Sequence, residues 1–345
     1  MGVASLGLRQ ERLALSRRSL ALPLAFFLAI LSAYLVTVIG ILASPFWAAA
    51  ILVPLCGILV VMLFVIGHDA CHLSYTASHR LNHIIGRIAF LPSAHLFSLW
   101  DHEHNQRHHR FNNIKHLDYI WTPLSPDEFA KASPLRRITY RIFRHGAGVP
   151  LYYFFEVWLR LIVCPRRSLL GRIRTVHVLD AALVWGFVAG YIVLLSIVGG
   201  WFGKSALASV TLAFLLPLAI FMALMSAAVY MHHTHHAVPW YATVEEWEER
   251  SGTIYGTVHV EFPWLVRKVI LHIMEHNAHH FAPGVPLYRL SEMQAMVERS
   301  GVVTWRFSIA EYANVTERCK LFDYEASRWV DFSGAPTSEP LRVAS

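Results

Sequence analysis

Cysteine and charge are both scarce in this chain of 345 residues. The four cysteines, Cys56, Cys71, Cys164 and Cys319, are scattered without a Cys-x-x-Cys pair, which argues against thiolate zinc sites, iron–sulfur clusters and a disulfide framework. Only 15% of the residues are charged, 55% are hydrophobic, and the mean hydropathy is +0.42. These values are too apolar for an ordinary soluble protein of this size, so the composition indicates a membrane protein.

Long apolar stretches with almost no Asp, Glu, Lys, Arg or His occur at four places: residues 20–43, 47–67, 178–199 and 205–231. Each has about 20 residues or more, which at about 1.5 Å of helical rise per residue crosses a hydrocarbon core of about 30 Å. The exception among their side chains is Asp180, near one end of the third stretch. The sequence therefore predicts four transmembrane helices.

The short linkers "SPF" and "GWFGK" join these spans into two hairpins whose tips face the same side. The arm through Arg18 holds four Lys and Arg residues and residues 68–177 hold fifteen, against one, Lys204, in the two tips. The positive-inside rule then places the termini and the large loop in the cytoplasm, as in a multi-pass protein of a bacterial-type inner membrane. Because the basic residues flank apolar spans, the net charge of +7 does not predict nucleic-acid binding.

The fold class expected is an all-α integral membrane protein with a cytoplasmic helical cap. We divide it into a cytoplasmic arm (1–19), a four-span domain (20–290) and a cytoplasmic C-terminal segment (291–345), which is expected to be disordered beyond Phe332. Residues 84–100 and 151–164 are apolar but interrupted by charge. We interpret them as interfacial or re-entrant helices, with core helices as the alternative.

Histidine, in contrast, is abundant, and all 21 histidines lie between His68 and His280. The phrases "HDACH" and "HHTHH" follow the second and fourth spans, while "HNQRHH" and "HNAHH" lie in cytoplasmic segments. The spans therefore bring imidazoles to one membrane face. Eight or nine imidazoles exceed the roughly four to six ligands of one metal and suit two metals, and imidazole is compatible with zinc, copper, nickel and iron.

The spacing within each phrase predicts which rings share a helical face. Histidines four apart, as in His68–His72 and His104–His108, lie about 5–6 Å apart, while His109 should turn away toward a second metal. "HNAHH" should keep its three histidines on one face. The candidate ligands are His68, His72, His104, His108, His109, His276, His279 and His280, with one or two more from "HHTHH".

Acidic and amide side chains next to these phrases can accept a hydrogen bond from the far ring N–H of a ligating histidine and so fix its tautomer. Ordinary polarity of a helix surface is the alternative for each of them. No Glu-x-x-His pair is present on two helices, which argues against a soluble carboxylate-bridged di-iron bundle. The candidates for the orienting role are Asp69, Glu103, Asn105, Asp118, Glu275 and Asn277.

These phrases and their flanks resemble the membrane fatty acid desaturase family of histidine-box di-iron enzymes. The flanks include "HNQRHHRFNNIKHLDYIWTPLS" and "EFPWLVRKVILHIMEHNAHHFAPGVPLYRL", and they favour the acyl-lipid branch with its delta-12 types. The resemblance implies a cytoplasmic cap holding two irons, with the eight histidines above as box ligands. It adds a ligand from the end of the fourth span, His233, with His235 as the alternative, although this branch often has Gln and Pro in place of His232 and His236.

The activity implied by the resemblance is O2-dependent desaturation of a fatty acyl chain that is linked to a lipid, to coenzyme A or to a carrier. Removing hydrogen from an unactivated methylene is beyond acid–base side chains and needs a redox metal with O2. The chain has no "HPGG" phrase and no cysteine cluster. We therefore expect an external ferredoxin, rubredoxin or cytochrome as electron donor, and membrane lipids as surroundings.

Two other functions compete with this interpretation. Hydroxylases of the alkane and carotenoid type use the same ligands, so ligand spacing does not separate oxygen insertion from desaturation; the flanking phrases "WTPLS", "EFP" and "PLYRL" favour a desaturase. A metal transporter would carry ionisable residues at the bilayer midplane, and the four predicted spans have none there.

Overall fold

The computed structural model describes residues 12–341, which are mostly helical. In chain order the α-helices are α1 (Ala21–Ala43), α2 (Phe46–Cys71), α3 (His79–Phe90), α4 (Phe97–Trp100), α5 (His109–Phe111), α6 (Pro126–Lys131), α7 (Pro134–Phe143), α8 (Val149–Tyr152), α9 (Arg167–Leu170), α10 (Thr175–Trp201), α11 (Ala206–Val210), α12 (Leu216–His233), α13 (Val244–Glu249), α14 (Gly252–Tyr255), α15 (Trp264–Val269), α16 (His276–Phe281), α17 (Leu290–Val297) and α18 (Ile309–Arg318).

Other regular elements interrupt this series. In the described part of the chain, π-helices cover Asp101–His108, Tyr153–Ile162 and Thr211–Leu215, and 3-10 helices cover Leu287–Arg289 and Glu298–Ser300. The four short strands are β1 (His259–Glu261), β2 (Thr304–Arg306), β3 (Leu321–Asp323) and β4 (Arg328–Val330).

The described residues form two compact units. We call residues 12–15, 103–153 and 226–341 the cap unit, and residues 16–102 and 154–225 the span unit. The division falls within α12 and within two of the π-helices.

Within residues 12–341, four helical segments are long and apolar enough to cross a membrane: Ala21–Ala43, Phe46–Cys71, Thr175–Trp201 and Ala206–His233. They confirm the four predicted spans and the all-α membrane fold. The second and fourth segments continue past the predicted ends. As a result, His68 lies on α2, and His233 is the last residue of α12.

The span unit packs its helices through small residues and buried hydrogen bonds. A Cβ at Gly57 of α2 would lie 2.6 Å from Ile220 Cγ2 of α12, so only glycine allows this close approach. The hydroxyls of Tyr34 and Tyr191 are 2.9 Å apart and join α1 to α10. The predicted segment 84–100 is helical at both ends, in α3 and α4.

Asp180, the acidic residue of the third span, has a structural role in the span unit. Its Oδ1 accepts from Arg87 Nε at 2.7 Å, and its Oδ2 accepts from the backbone N–H of Ser98 at 2.9 Å. Because α3 carries Arg87 and α4 begins at residue 97, this carboxylate ties both helices to α10.

The cap unit contains the remaining elements and two small sheets. In the parallel pair, β1 and β2 place His259 opposite Thr304; in the antiparallel pair, β3 and β4 place Leu321 opposite Val330. Aliphatic side chains of α16, α17 and the loop between them form a buried cluster that includes Ala278. This cluster supports the short helix that carries "HNAHH".

The C-terminal tail differs from the expectation. The N–H of Thr337 donates to the carbonyl of Trp329 at 2.9 Å, and that of Leu341 donates to the carbonyl of Ser327 at 2.7 Å. The disorder predicted beyond Phe332 is therefore wrong for residues 333–341, because β4 and its turn provide partners that composition does not reveal. Residues 1–11 of the predicted arm and the last four residues lie outside the described part, and the domain boundaries stay predictions.

We expect Asp180→Ala to lower the apparent melting temperature of the detergent-purified protein by several degrees, because Arg87 and the Ser98 N–H lose a buried acceptor worth about 2 kcal/mol together. Asp180→Asn keeps an acceptor and should lose less. The matched control is Glu261→Ala, whose ion pair with Arg306 is exposed and 3.9 Å long and should contribute almost nothing. Equal melting temperatures for all three variants would contradict this role.

Candidate metal centre

The phrase "HNQRHH" lies on a π-helix, Asp101–His108, followed directly by α5. A π-helix hydrogen-bonds from residue i to residue i+5, so residues five apart come together. Accordingly, His104 Nε2 and His109 Nε2 are 3.0 Å apart. The expectation that His109 turns away from His104 is wrong, because it assumed α-helical geometry.

Four histidines of the cap unit form what we call the four-histidine cluster: His108, His233, His276 and His280. Each offers one ring nitrogen, and these nitrogens all lie within 4.8 Å of one another. All four side chains are buried. The π-helix, the end of α12 and α16 each contribute to the cluster, so it joins three separate parts of the sequence.

His108 is oriented by Asp118, one of the acidic residues predicted for this role. His108 Nδ1 is 2.9 Å from Asp118 Oδ1, and an ionised carboxylate only accepts, so Nδ1 carries the proton and Nε2 keeps its lone pair. Asp118 is itself held by the backbone N–H groups of Asn113 (2.9 Å) and Ile120 (3.0 Å). The ring of His108 therefore has one tautomer and a fixed direction.

His233 is oriented in the same way by Asn113, which is not among the orienting residues predicted from the sequence. Asn113 Nδ2 donates to the carbonyl of Pro239 at 3.1 Å, which identifies Oδ1 as the atom that accepts from His233 Nδ1 at 3.1 Å. Asn113 has φ of 58°, a left-handed conformation that asparagine tolerates better than most residues. In the sequence, the only indication of this role is that Asn113 is an asparagine in the loop that follows "HNQRHH".

The spacing of the ring nitrogens in this cluster fits a metal ion. His233 Nε2 and His276 Nε2 are 2.9 Å apart, close to the separation of about 3 Å between adjacent nitrogens bound to one metal at about 2.1 Å. Among residues 12–341, His276 Nδ1 and both ring nitrogens of His280 are buried without a hydrogen-bond partner. Buried polar atoms normally find partners, and a metal bound in the cluster would supply one for a single nitrogen of His280.

The protonation states agree with this fit. Burial, followed by the neighbouring histidines, lowers the pKa of His276 and of His280 well below the ordinary value. Both rings are therefore neutral at physiological pH and have a lone pair for a metal. Four imidazoles alone do not select one metal among zinc, copper, nickel and iron.

A second group in the cap unit, the three-histidine cluster, consists of His104, His109 and His279. His109 Nε2 is 3.0 Å from His104 Nε2 and 2.9 Å from His279 Nε2. The ring of His109 also stacks on that of His280 at 4.2 Å. The two clusters therefore lie side by side, as a two-metal centre requires.

The phrase "HNAHH" is divided between these clusters. His276 and His280, four apart on α16, belong to the four-histidine cluster, and His279 belongs to the other. The prediction that the three histidines of "HNAHH" share one helical face is wrong for His279. The rings of His279 and His280 diverge, with centroids 5.8 Å apart. In the span unit, His68 and His72 form a pair with ring centroids 4.9 Å apart, as their spacing predicts.

Three of the predicted orienting residues have described contacts with partners other than ligand histidines. Asp69 Oδ1 accepts from Ser74 Oγ at 2.6 Å. Asn277 Nδ2 donates to the carbonyl of Thr257 at 2.7 Å and so fixes α16. Glu103 pairs with Arg107 at 2.6 Å. Asn105, another residue predicted to orient a histidine, lies on the π-helix Asp101–His108.

Glu275 lies immediately before α16 and is almost fully buried. Its Oε1 accepts from Arg267 Nη2 at 2.6 Å and lies 2.8 Å from His272 Nδ1. Burial alone would raise the pKa of Glu275, but the hydrogen bonds and charge interactions with His272 and Arg267 outweigh it, so the pKa is lowered. Glu275 thus anchors the start of the histidine helix and remains an anion there.

His235 lies in a separate group with His236 and Glu311. Its Nδ1 accepts from the backbone N–H of Ala237 at 3.1 Å, so a neutral His235 carries its proton on Nε2 and has no second lone pair for a metal. Burial, then His236 and Arg318, lower its pKa to about 3. Of the two alternatives from the sequence, the geometry favours His233.

Comparison with known proteins agrees with these observations. A sequence model of the family described as fatty acid desaturase matches residues 44–307. The chain is 26% identical over 277 residues to the chloroplastic omega-6 fatty acid desaturase of Brassica napus, covering 78% of this chain and 59% of that protein. Two proteins named sn-1 oleoyl-lipid 12-desaturase are also similar to this chain. That of a Picosynechococcus species is 27% identical over 274 residues, covering 76% of this chain and 73% of that protein. That of a Synechocystis species is 26% identical over 299 residues, covering 86% of this chain and 82% of that protein.

The contact between Asn113 and His233 can be tested with Asn113→Gly, because glycine retains the left-handed backbone and removes the amide. We expect the metal to be lost to a competing chelator at 10- to 100-fold lower chelator concentration, a range typical for removing an orienting partner. The matched control is His116→Gly, since His116 also has positive φ (66°) but an exposed side chain. Metal retention equal to that of the control would show that Asn113 does not orient His233.

Proposed function

Because the chain belongs to the fatty acid desaturase family, we propose that it is a membrane-bound, O2-dependent fatty acyl desaturase with a two-iron centre. The observation that carries the proposal is the four-histidine cluster, whose nitrogens lie within 4.8 Å of one another in a buried site. The family match extends over residues 44–307 and includes every candidate histidine. Cluster and match support the same function by separate routes.

We propose the following ligands. One iron is held by His108, His233, His276 and His280, which the cap unit brings together. The other is held by His104, His109 and His279 of the three-histidine cluster. The family resemblance assigns His68 and His72 to the first histidine box; they form a close pair within the span unit, and we propose them as iron ligands as well.

When bound, the two irons supply with O2 the oxidising chemistry that acid–base side chains lack. Overall, two hydrogens leave adjacent methylenes of the acyl chain, two electrons and two protons enter from outside, and O2 leaves as two waters. The chain's residues prepare for this by holding the proton of His108 on Nδ1 beside Asp118 and that of His233 on Nδ1 beside Asn113. Burial of the four rings also keeps bulk water away from the reactive centre.

The proposed substrate is a monounsaturated acyl chain of a membrane lipid, which gains a second double bond at the position 12 or omega-6 named in the relatives. The chain spans about three fifths of the Brassica protein's length, so its activity needs its own test. The proposed electron donor is an external ferredoxin, rubredoxin or cytochrome. The basic residues of the loops favour a centre on the cytoplasmic side, in a bacterial-type inner membrane.

Metal transport is not supported by the third span. Its acidic residue, Asp180, accepts hydrogen bonds from Arg87 and from the N–H of Ser98. These contacts are those of a structural ion pair. An ion path would need such a group to be available to the transported ion.

The function can be tested by expression in a host whose lipids contain oleoyl chains, followed by gas chromatography with mass spectrometry of total lipids. We expect a new diene in cells with the wild-type chain and none above background with His280→Ala, because its ring nitrogens lie in the four-histidine cluster. His235→Ala is the matched control and should retain product. Hydroxylated chains without new double bonds would instead identify a hydroxylase.

The ligand assignment can be tested by iron analysis of protein purified after anaerobic loading. We expect about two irons per wild-type chain and about one or fewer in His233→Ala, because a ligand of the four-histidine cluster is missing. His235→Ala should bind as much iron as the wild type, because the ring lies in another group. If His235→Ala instead bound less iron than His233→Ala, His235 would be the ligand.

A further inference from the structure

Helix α7 is fixed to the cap unit by one face. Tyr140 is buried there, and its hydroxyl donates to the carbonyl of Lys320 at 2.8 Å and accepts from the N–H of Leu124 at 3.0 Å. The ring belongs to a buried cluster with Phe129, Leu321 and Val330. The helix therefore cannot rotate to bury a different face.

Another face of α7 exposes a stripe of aliphatic side chains. Leu135 is 72% exposed, Ile138 57% and Ile142 45%. Their spacing of three and seven residues places them on one face of an α-helix. Single exposed apolar residues are common on protein surfaces, but a contiguous stripe on a rigid helix indicates a contact surface.

Basic residues accompany this stripe. Residues 131–141 contain four Lys and Arg residues and neither Asp nor Glu. The guanidinium groups of Arg137 and Arg141 lie over the ring of Phe129, 5.3 Å and 5.4 Å from its centroid. The aromatic ring thereby holds these two charges on the surface of the cap next to the helix.

We propose that α7 lies in the headgroup region of the membrane, with Leu135, Ile138 and Ile142 toward the acyl chains and the basic residues toward anionic headgroups. An apolar stripe with flanking Arg and Lys is the pattern of an interfacial helix, and charge complementarity selects anionic lipid. The proposal concerns a surface of this chain and is independent of the activity at the metal centre.

Two observations favour lipid over an acidic protein partner. The stripe is purely aliphatic, whereas the residues that dominate protein interfaces are Trp, Tyr and Arg inserted into pockets. Furthermore, α15 repeats the combination in the same unit, with Trp264 72% and Leu265 59% exposed next to Lys268. Tryptophan is enriched at the boundary between membrane and water.

The position of α7 is connected to the metal centre through short contacts. Arg144, directly after α7, is buried and donates from Nη2 to the carbonyl of Trp121 at 2.5 Å. The hydroxyl of Tyr152 accepts from the N–H of the same residue at 3.1 Å. Trp121 follows Asp118, which orients His108, by three residues. Lipid contact at α7 would therefore stabilise the loop that contains Asp118, the residue that orients the proposed ligand His108.

The test uses the full chain in nanodiscs that contain phosphatidylglycerol. On a Cys164→Ser background, in which the remaining cysteines are buried, single cysteines at positions 135, 138 and 142 are labelled with bimane. Glu325→Cys, at an exposed position of the turn between β3 and β4, is the control. We expect lipids with a nitroxide on the acyl chain to quench the three stripe positions several-fold more than the control.

Equal quenching at the stripe and the control would overturn the proposal. It would also be overturned if the stripe became shielded from soluble quenchers only after an acidic ferredoxin is added, because the surface would then bind a redox protein. Quenching that falls when phosphatidylglycerol is replaced by a neutral lipid would support the assignment of the basic residues to headgroups. None of these readouts depends on metal content or activity.

Discussion

Buried imidazole nitrogens need partners, and this requirement organises the cap unit. An unsatisfied buried polar group costs about 1–3 kcal/mol, and the four-histidine cluster collects several nitrogens that other residues do not satisfy. Asp118 and Asn113 each take one ring nitrogen of His108 and His233, which leaves the other nitrogen directed at the cluster. A metal bound by one nitrogen of each ring would give these lone pairs a partner.

The π-helix gives the extra residue of "HNQRHH" a structural meaning. It brings the i and i+5 histidines, His104 and His109, together and leaves His108 for the other cluster. In "HNAHH" the division is reversed, since His276 and His280 join the four-histidine cluster and His279 the other. Each phrase thus contributes two rings to one cluster and one ring to its neighbour, and both helices are needed for either cluster.

Spans and ligand candidates could be predicted because they depend on local properties. Hydropathy and length predicted the four helices. Histidine spacing predicted the cluster residues of "HNQRHH" and "HNAHH", whereas His233 came from the family resemblance. The grouping could not be predicted, because whether a segment is α-helical or π-helical depends on tertiary contacts rather than on periodicity. The same is true of Asn113, whose side chain is positioned by the carbonyl of Pro239, 126 residues away in sequence. Order in the tail depends in turn on hydrogen bonds to the turn after β3 and to β4.

The choice between His233 and His235 shows how the end of one helix positions a proposed ligand. His233 is the last residue of α12, and the helix directs its ring toward Asn113 and His276. Beyond the helix, the N–H of Val238 bonds to the carbonyl of His235, and the N–H of Ala237 occupies its ring Nδ1. The chemical identity of the two residues is the same, but the first has a lone pair directed at the cluster and the second has a proton on its remaining nitrogen. The proposed choice of His233 therefore follows from backbone hydrogen bonding, and a histidine-rich phrase alone does not specify it.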